Sequence, residues 1–581
     1  MKIKKIYLKN FRNFEDTTIN FTDKNLIIGR NDIGKTNLIY ALRILFDRSL
    51  SEKQLDLLDS DFNIYTNSSE IEIIVKLQDV NEPYLVSILD VEEGTSFIGF
   101  KFQKGEGYKI YNHHKLDDLY NSLVRETRFY IKRLNMEYVH TNRNLNKLFQ
   151  KERDNIIDYS KEKRGDYETE NDSHLELQLV DDLEIINTKI DDLSYISNAL
   201  EMVNTQLKEL SLHHNEMNIR FSNNNNVEQL LSNLKLNYVN ETGELALGGD
   251  GRSNQIFFAT WLSKQERAYD ENSTTFYAIE EPEAHLHPQQ QSKLSEYLST
   301  VIDAQLFMTT HSPHIALSFE PTKIIKLIKD SNHTIACNNG FTDNTDVYDK
   351  FSYRNNIITS DIYFSNAIFL VEGPSELLFY KALANSIDVD LDQLNVSILS
   401  VDGIGFGPYL QICKHLSIPV VIRTDNDIFK KERDEVNYYY FAGLSRVLKL
   451  DNDYDILDID IRSYFVDNSD KNEWLIDRGI QDFNQNYNND ARKKLEENSI
   501  YISEKDLEND LVNSAIFKEL SENYKTSDKD KLIKKMQKYK AQNMYSFLKD
   551  NAESLIKLVD SELVNPLERL KELSIEVSTY E

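Results

Sequence analysis

The sequence predicts an α/β protein of two parts: a nucleotide-binding head split by a helical insert, then a second α/β domain that ends in helices. Three observations predict it. A strand, a glycine loop and a helix follow one another over residues 26–45. A polar, glycine-poor stretch with apolar residues at helical spacing follows, and beyond residue 365 hydrophobic strands alternate with acidic turns and helices, as in a parallel sheet. The expected segments are 1–115 and 241–345 for the two halves of the head, 116–240 for the insert, and 346–581 for the second domain with its helical C-terminal region.

Bulk properties narrow the class. The 581 residues are 40% hydrophobic and 11% aromatic, enough for several packed domains and unlike a disordered chain. Cys337 and Cys413 lie in no CxxC or Cys/His cluster, which excludes a disulfide scaffold and a zinc site and leaves packing as their role. No apolar run approaches the roughly 20 residues that span a bilayer, and the start lacks the apolar core of a signal peptide. The expectation is a cytoplasmic protein with no membrane contact. A net charge of −29 argues against non-specific polyanion binding, yet allows clustered metal-holding carboxylates and a local basic strip for DNA.

In the head, the strand Leu26-Ile27-Ile28 runs into Gly29-Arg30-Asn31-Asp32-Ile33-Gly34-Lys35-Thr36, a GxxxxGK[ST] loop. Phosphates need closely spaced backbone N–H donors, and glycine lets the main chain approach them. Lys35 is expected at the β/γ-phosphates of ATP and Thr36 at Mg²⁺, with Asn31, Gly34 and Asn37 as further loop contacts. The strand Thr275–Glu280 ends in acids: Glu280 is placed beside Mg²⁺, where many such ATPases carry Asp, and Glu281 near the attacking water. His311, in Thr309-Thr310-His311-Ser312-Pro313, is a candidate γ-phosphate sensor.

The insert carries Ile186, Ile190, Leu193, Leu200, Val203, Leu207 and Leu210 at steps of three, four and seven, a heptad-like seam. Two readings stand: a helical dimerisation arm, or an amphipathic helix packed on its own domain. Asn223–Asn226 reads as a loop.

In the second domain, Ala367–Val371 is a buried-type strand ending at Glu372-Gly373-Pro374-Ser375-Glu376. Pro at the first helical position puts Glu376 in the first turn, facing the same crevice as Glu372. A second strand, Val420–Thr424, ends in Asp425-Asn426-Asp427. Carboxylates at the C-terminal ends of parallel strands converge where open α/β sheets bind ligands, and hard oxygen donors suit Mg²⁺ or Mn²⁺. Two solvated acidic turns are the alternative, weakened by the matching strands before both. The later Asp506-x-Glu508 pair reads by itself as an acidic helix start that Ser503 caps. Lys529, Lys531, Lys534, Lys535, Lys538 and Lys540 either track a DNA backbone or form a solvated face.

The three head elements, together with Lys9-Asn10-Phe11-Arg12-Asn13-Phe14 and Glu281–Pro288, resemble the ABC-type ATPase heads of SMC, RecF and OLD proteins. That likeness implies a signature loop completing the nucleotide site of a second head; Leu247–Arg252 is the candidate, without the usual Ser. The Glu372-Gly373 and Asp425-x-Asp427 strands, with Val401–Gly405 between them, resemble a Toprim domain. An ABC head followed by Toprim is the architecture of OLD nucleases, and that resemblance implies Asp506 and Glu508 as holders of a second metal and Lys540 as the lysine that offsets transition-state charge, beside the catalytic candidates Glu372, Asp425 and Asp427. The whole set resembles the nuclease family of the Gabija anti-phage system. It implies nucleotide-restrained cleavage of double-stranded DNA, a homotetramer and a UvrD-like helicase partner. A stand-alone OLD nuclease and a non-catalytic, RecF-like DNA-binding protein are the rival readings.

Overall fold

The computed structural model describes the chain apart from residues 81–82, 87–88, 90, 93, 211–226, 233, 235–237, 241–242, 246–249, 268–269, 271, 340–359, 403–404, 434, 468–484 and 581. The chain forms two compact units. One comprises Met1–Thr141, Asn272–Glu283 and His287–Glu581, the other Asn142–Glu271 with Ala284–Leu286.

The first unit opens with β1 (Lys2–Phe11), β2 (Phe14–Asn20), β3 (Lys24–Ile28), β4 (Glu70–Gln78), β5 (Thr95–Gln103), β6 (Gly107–His113) and β7 (Leu134–Val139). Strands β2-β1-β4-β5-β6 make an antiparallel sheet. Its alternating burial gives it one core face: Ile6 and Leu8 of β1 point in, and Lys9 points out. The helix Lys35–Phe46 buries Leu38, Leu42, Leu45 and Phe46 in one core with Ile6 and Ile73 of this sheet and with Phe276 and Phe307 of the next.

In the second unit, β8 (Tyr238–Asn240) and β9 (Gly243–Leu245) pair antiparallel, and the seam region forms the helices Asp166–Asp191 and Ser194–Leu210. The expected seam therefore crosses a helix break at residues 192–193. Its side chains are largely exposed: Ile186 at 48%, Val203 at 46% and Leu210 at 79%, and the second helix buries no residue. The Asn223–Asn226 loop lies outside the described residues.

Back in the first unit, β10 (Thr274–Glu280), β11 (Leu306–Thr309), β12 (Ile324–Asp330) and β13 (His333–Ala336) complete a six-stranded sheet of order β13-β12-β3-β11-β10-β7. All its pairings are parallel except β12–β13. Strand β7 thus belongs to the head sheet, although sequence pattern places residues 116–141 in the insert. Short and flanked by polar turns, β7 has no periodicity that separates it from the helical stretch after it.

The last part holds β14 (Ala367–Val371), β15 (Val396–Ser400), β16 (Val420–Thr424), β17 (Ile428–Arg433), β18 (Val436–Phe441) and β19 (Ile500–Ile502). Strands β15-β14-β16-β19 form a parallel sheet, and β17–β18 a separate antiparallel hairpin. Every residue of β14 is buried, as a central strand covered on both faces requires. Val371 and Val421 share a core with Leu383 of the helix Pro374–Ser386 and with Met544, Phe547 and Leu567 of the C-terminal helices. Cys337 and Cys413 are both buried and free, and Cys337 Sγ donates to the Leu416 carbonyl at 3.2 Å. No described helix is long and apolar enough to cross a membrane.

Candidate active site and nucleotide site

The glycine loop sits between β3 and its helix, braced from the β1–β2 turn. Asn13 Nδ2 donates to the Ile33 carbonyl at 2.6 Å, Asn37 Nδ2 donates to Asn13 Oδ1 at 2.7 Å, and Arg12 Nη1 donates to Asn37 Oδ1 at 2.7 Å. Arg12 is anchored in turn by Asp61 at 2.9 Å. Gly34 adopts φ 106°, and a Cβ there would lie 2.0 Å from Asn13 Nδ2, so both backbone and space demand glycine. Asn31 and Thr36 are exposed, and a cavity of about 650 Å³ opens beside the loop, lined by Arg12, Asn31, Asp32, Asp61, Tyr65 and Lys329 among others.

Lys35 is buried, and its Nζ donates to the Gly29 and Arg30 carbonyls at 2.8 and 2.7 Å. Burial pushes its pKa down to about 8, against the opposing pull of Glu281, Asp32 and Glu283. Strands β10 and β11 pair Glu280 with Thr309, which brings their polar ends together. Glu280 is buried and its Oε2 accepts from the Tyr138 hydroxyl at 2.8 Å. Glu281 Oε1 lies 3.7 Å from His311 Nε2. Glu283, given no separate role by the sequence, ties the two strand ends: its Oε1 accepts from Thr310 Oγ1 at 2.8 Å and from the His311 N–H at 2.7 Å. Residues 247–249 of the candidate signature loop lie outside the described residues. Gly251 packs where a Cβ would meet the His285 carbonyl at 2.6 Å.

At the other site, Glu372 follows β14, Asp425 follows β16, and Ser503 follows β19, three neighbouring parallel strand ends. Glu372 Oε1 accepts from the Asp425 N–H at 2.8 Å, from Thr424 Oγ1 and from Arg446 Nη1. Asp425 Oδ1 accepts from Ser503 Oγ at 2.9 Å and from the Leu507 N–H at 3.1 Å. The expected Ser503 cap is therefore replaced: Asp506 caps the helix Leu507–Val512 by accepting from the Asn509 N–H at 2.8 Å, and Ser503 orients Asp425 instead. Asp506 Oδ2 also accepts from Gln537 Nε2 at 2.8 Å. Asp427 takes a left-handed φ of 47° and is half-exposed.

Glu376, Asp425 and Glu508 are each at most 5% exposed. Burial, joined by Glu376, pushes Asp425 up to about 8, and burial raises Glu376 and Glu508 as well. Lys540 Nζ lies 3.1 Å from Glu508 Oε2 and 3.6 Å from Asp425 Oδ2. Burial opposes its charge, but Glu508 and Asp425 outweigh burial and raise its pKa. Tyr539, in the left-handed conformation at φ 62°, turns the chain so that Lys540 enters the cluster. The earlier lysines of that run take other partners; Lys529 Nζ donates to Asn513 and Lys535 Nζ to the Tyr524 carbonyl.

The donor set suits a hard divalent cation: six carboxylates, with buried Glu508 Oε1 lacking a hydrogen-bond partner. Among the described residues no three of these acids converge on one point; Arg446 pairs with Glu372 and Asp427, and Lys540 with Asp425 and Glu508.

Comparison with known proteins matches the domains that carry the two candidate sites. Residues 1–137 and 121–316 match the AAA ATPase domain family, and residues 363–427 match the Toprim domain of overcoming-lysogenization-defect (OLD) protein-like sequences. The chain belongs to the AAA ATPase domain family and carries an OLD-like Toprim domain behind it, the make-up of a nuclease with an ATPase domain. It is 28% identical to Endonuclease GajA of Bacillus cereus strain VD045, over 94% of each chain. It is 27% identical to the OLD nuclease of Thermus scotoductus, over 34% of this chain and 39% of that one. It is 30% identical to the Old nuclease of Escherichia phage P2, over 27% of this chain and 28% of that one.

Sequence reasoning missed two Toprim-site residues. Gln537 holds Asp506, and Arg446 holds Glu372 with its Nη2 3.8 Å from Asp427 Oδ2. Neither belongs to a spaced motif.

Proposed function

We propose that this protein is a divalent-metal-dependent DNA endonuclease of the Gabija type, restrained by ATP on its head and acting in the bacterial cytoplasm against phage DNA. The observation that supports this reading is the gathering of Glu372, Glu376, Asp425, Asp427, Asp506 and Glu508 around Lys540 and Arg446, beside three parallel strand ends. A RecF-like binding protein has no use for such a cluster. Glu372, Glu376, Asp425, Asp427, Asp506 and Glu508 would hold one or two Mg²⁺ or Mn²⁺ ions, with Glu372, Asp425, Asp427 and Lys540 the catalytic set. When bound, such ions neutralise charge that develops on phosphate oxygens.

The chain's own residues do the rest. Thr424 and the Asp425 N–H fix the Glu372 carboxylate; Ser503 and the Leu507 N–H fix that of Asp425. Lys540 holds its proton and faces the reacting phosphate. On the head, Asn31, Gly34, Lys35, Thr36 and Asn37 would take the nucleotide phosphates, with Glu280, Glu281 and His311 around the terminal one.

A plasmid-cleavage assay tests both halves together. Cleavage is expected with Mg²⁺ or Mn²⁺ and not with EDTA, and millimolar ATP is expected to suppress it. Lys35→Ala should lower ATP affinity by at least about tenfold, the loss of one charge-assisted phosphate contact, and should cut DNA in the presence of ATP. Unchanged ATP affinity in a calorimetric titration removes the head from the proposal. No metal-dependent cutting removes the nuclease.

The same reading includes a homo-oligomer, a tetramer, working with a UvrD-like helicase. Exposed Ile186, Leu193, Val203 and Leu210 on the insert favour a second copy as their cover. The net charge of −29 opposes association, but such repulsion is screened within about 8 Å at physiological salt. Light scattering at micromolar protein is expected to give a multiple of the 67.9 kDa chain mass. A mass of one chain refutes association; a dimer refutes the tetramer.

A further inference from the structure

Arg446 belongs to the helix Ala442–Tyr454, which follows the β17–β18 hairpin. That helix starts hard against the Asp425–Asn426 backbone. The Gly443 N–H donates to the Asn426 carbonyl at 2.8 Å, and a Cβ on Gly443 would lie 2.4 Å from the Asp425 carbonyl oxygen. Only glycine allows this approach, and three residues on, almost one helical turn, the same face presents Arg446 to the acids. Its Nη1 meets Glu372 and Thr424, and its Nη2 lies 3.8 Å from Asp427.

The two cations divide the cluster. Lys540 serves the inner pair, Asp425 and Glu508, which are almost fully buried. Arg446 serves the outer pair, Glu372 and Asp427, whose side chains are 27% and 39% exposed at the mouth. A buried arginine locked to one carboxylate is ordinarily structural, and Arg423 with Asp510 at 2.6 Å is this domain's example. Arg446 differs. It is a third exposed and spans two acids that a metal would also need. A guanidinium and a divalent cation on the same carboxylate oxygen exclude each other by charge and by space.

Resting on the nuclease reading above, we propose that Arg446 guards the outer metal position: it neutralises Glu372 and Asp427 until a divalent cation displaces it, and the freed guanidinium then clamps the phosphate of the DNA strand to be cut. The planar fork of arginine suits two phosphate oxygens, and the open mouth gives it room to turn outward. No bond is made or broken by Arg446; it exchanges one anionic partner for another.

The test measures Mn²⁺ binding by electron paramagnetic resonance and DNA cleavage at saturating Mn²⁺ on the full chain. Arg446→Gln is expected to bind Mn²⁺ about five- to tenfold more tightly than wild type, because a competing positive charge is gone, yet to cleave at least about tenfold more slowly. Arg446→Lys keeps the charge without the fork. It should bind Mn²⁺ like wild type and cleave at an intermediate rate. Melting temperatures identify any variant that has lost its fold, which a merely structural arginine predicts. Unchanged or weaker Mn²⁺ affinity in folded Arg446→Gln overturns the guard, and wild-type cleavage overturns the clamp. Glu372→Gln separates this proposal from its foundation. If that variant also binds Mn²⁺ as wild type does, the metal-site reading falls and takes the guard with it; if it loses Mn²⁺ while Arg446→Gln gains none, the guard alone falls.

Discussion

Glu372→Gln and Asp425→Asn are each expected to slow DNA cleavage by at least about 10³-fold, the scale of losing a principal charge-handling group, without unfolding the chain. Both side chains sit at strand ends rather than inside a core, and both replacements keep an oxygen for the hydrogen bonds that orient them. Stability should move the other way in metal-free buffer. Asp425 binds its proton more tightly folded than unfolded, with its pKa raised from 3.8 to about 8 by burial and by Glu376. Wild-type stability therefore falls as pH rises through that window, while the amide of the Asp425→Asn variant has no proton to lose there. The melting advantage of Asp425→Asn should grow from pH 4 to pH 8. Wild-type cutting in the folded variants, or a variant less stable at every pH, would count against this account of the acids.

Lys540→Met carries the second large effect, with the opposite sign on stability. Cleavage is expected to fall about 10²- to 10³-fold, since a fixed positive charge beside the reacting phosphate is lost. Without metal, Glu508 and Asp425 then face each other with no counter-charge, and Glu508 is 1% exposed. Removing one member of a buried ionic group leaves the others unpaired, so the variant should melt below wild type in EDTA and recover part of the loss in Mn²⁺. Lys540→Arg should retain most of the stability. A Lys540→Met protein that cuts normally, or melts as wild type does in EDTA, contradicts this placement.

Much of the architecture was legible because its signals are local. The run Ala367–Val371 is apolar throughout and ends in Glu-Gly-Pro, and it is the central strand of its sheet. The same logic located β3, β10 and β16. Other features depend on what meets what across the fold. The insert boundary slipped because β7 is six residues of mixed polarity whose strand character comes from pairing with β10. The seam from Ile186 to Leu210 keeps helical spacing on both sides of a helix break that spacing alone does not register. Arg446 escaped because nothing in Ala442–Tyr454 marks one arginine among its charged residues; the approach of Gly443 to Asp425 gives it meaning, and that approach is a distance, not a pattern. Ser503 fits by sequence the cap that Asp506 makes, since either oxygen suits the helix start and only the path of β19 selects between them.

The acid cluster draws on segments that leave the ribosome far apart in time: Glu372 first, Asp425 and Arg446 next, Asp506 and Glu508 later, and Lys540 last. Chains emerge at about 5–20 residues per second, so a nascent chain spends several seconds with its first acids made and its lysine still unmade. Until synthesis passes residue 507 the sheet lacks its β19 edge or Asp425 lacks at least one of the two donors that hold it. Termination before residue 540 releases a product without the assembled cluster. Acids and counter-charge are therefore complete together only once synthesis has passed residue 540.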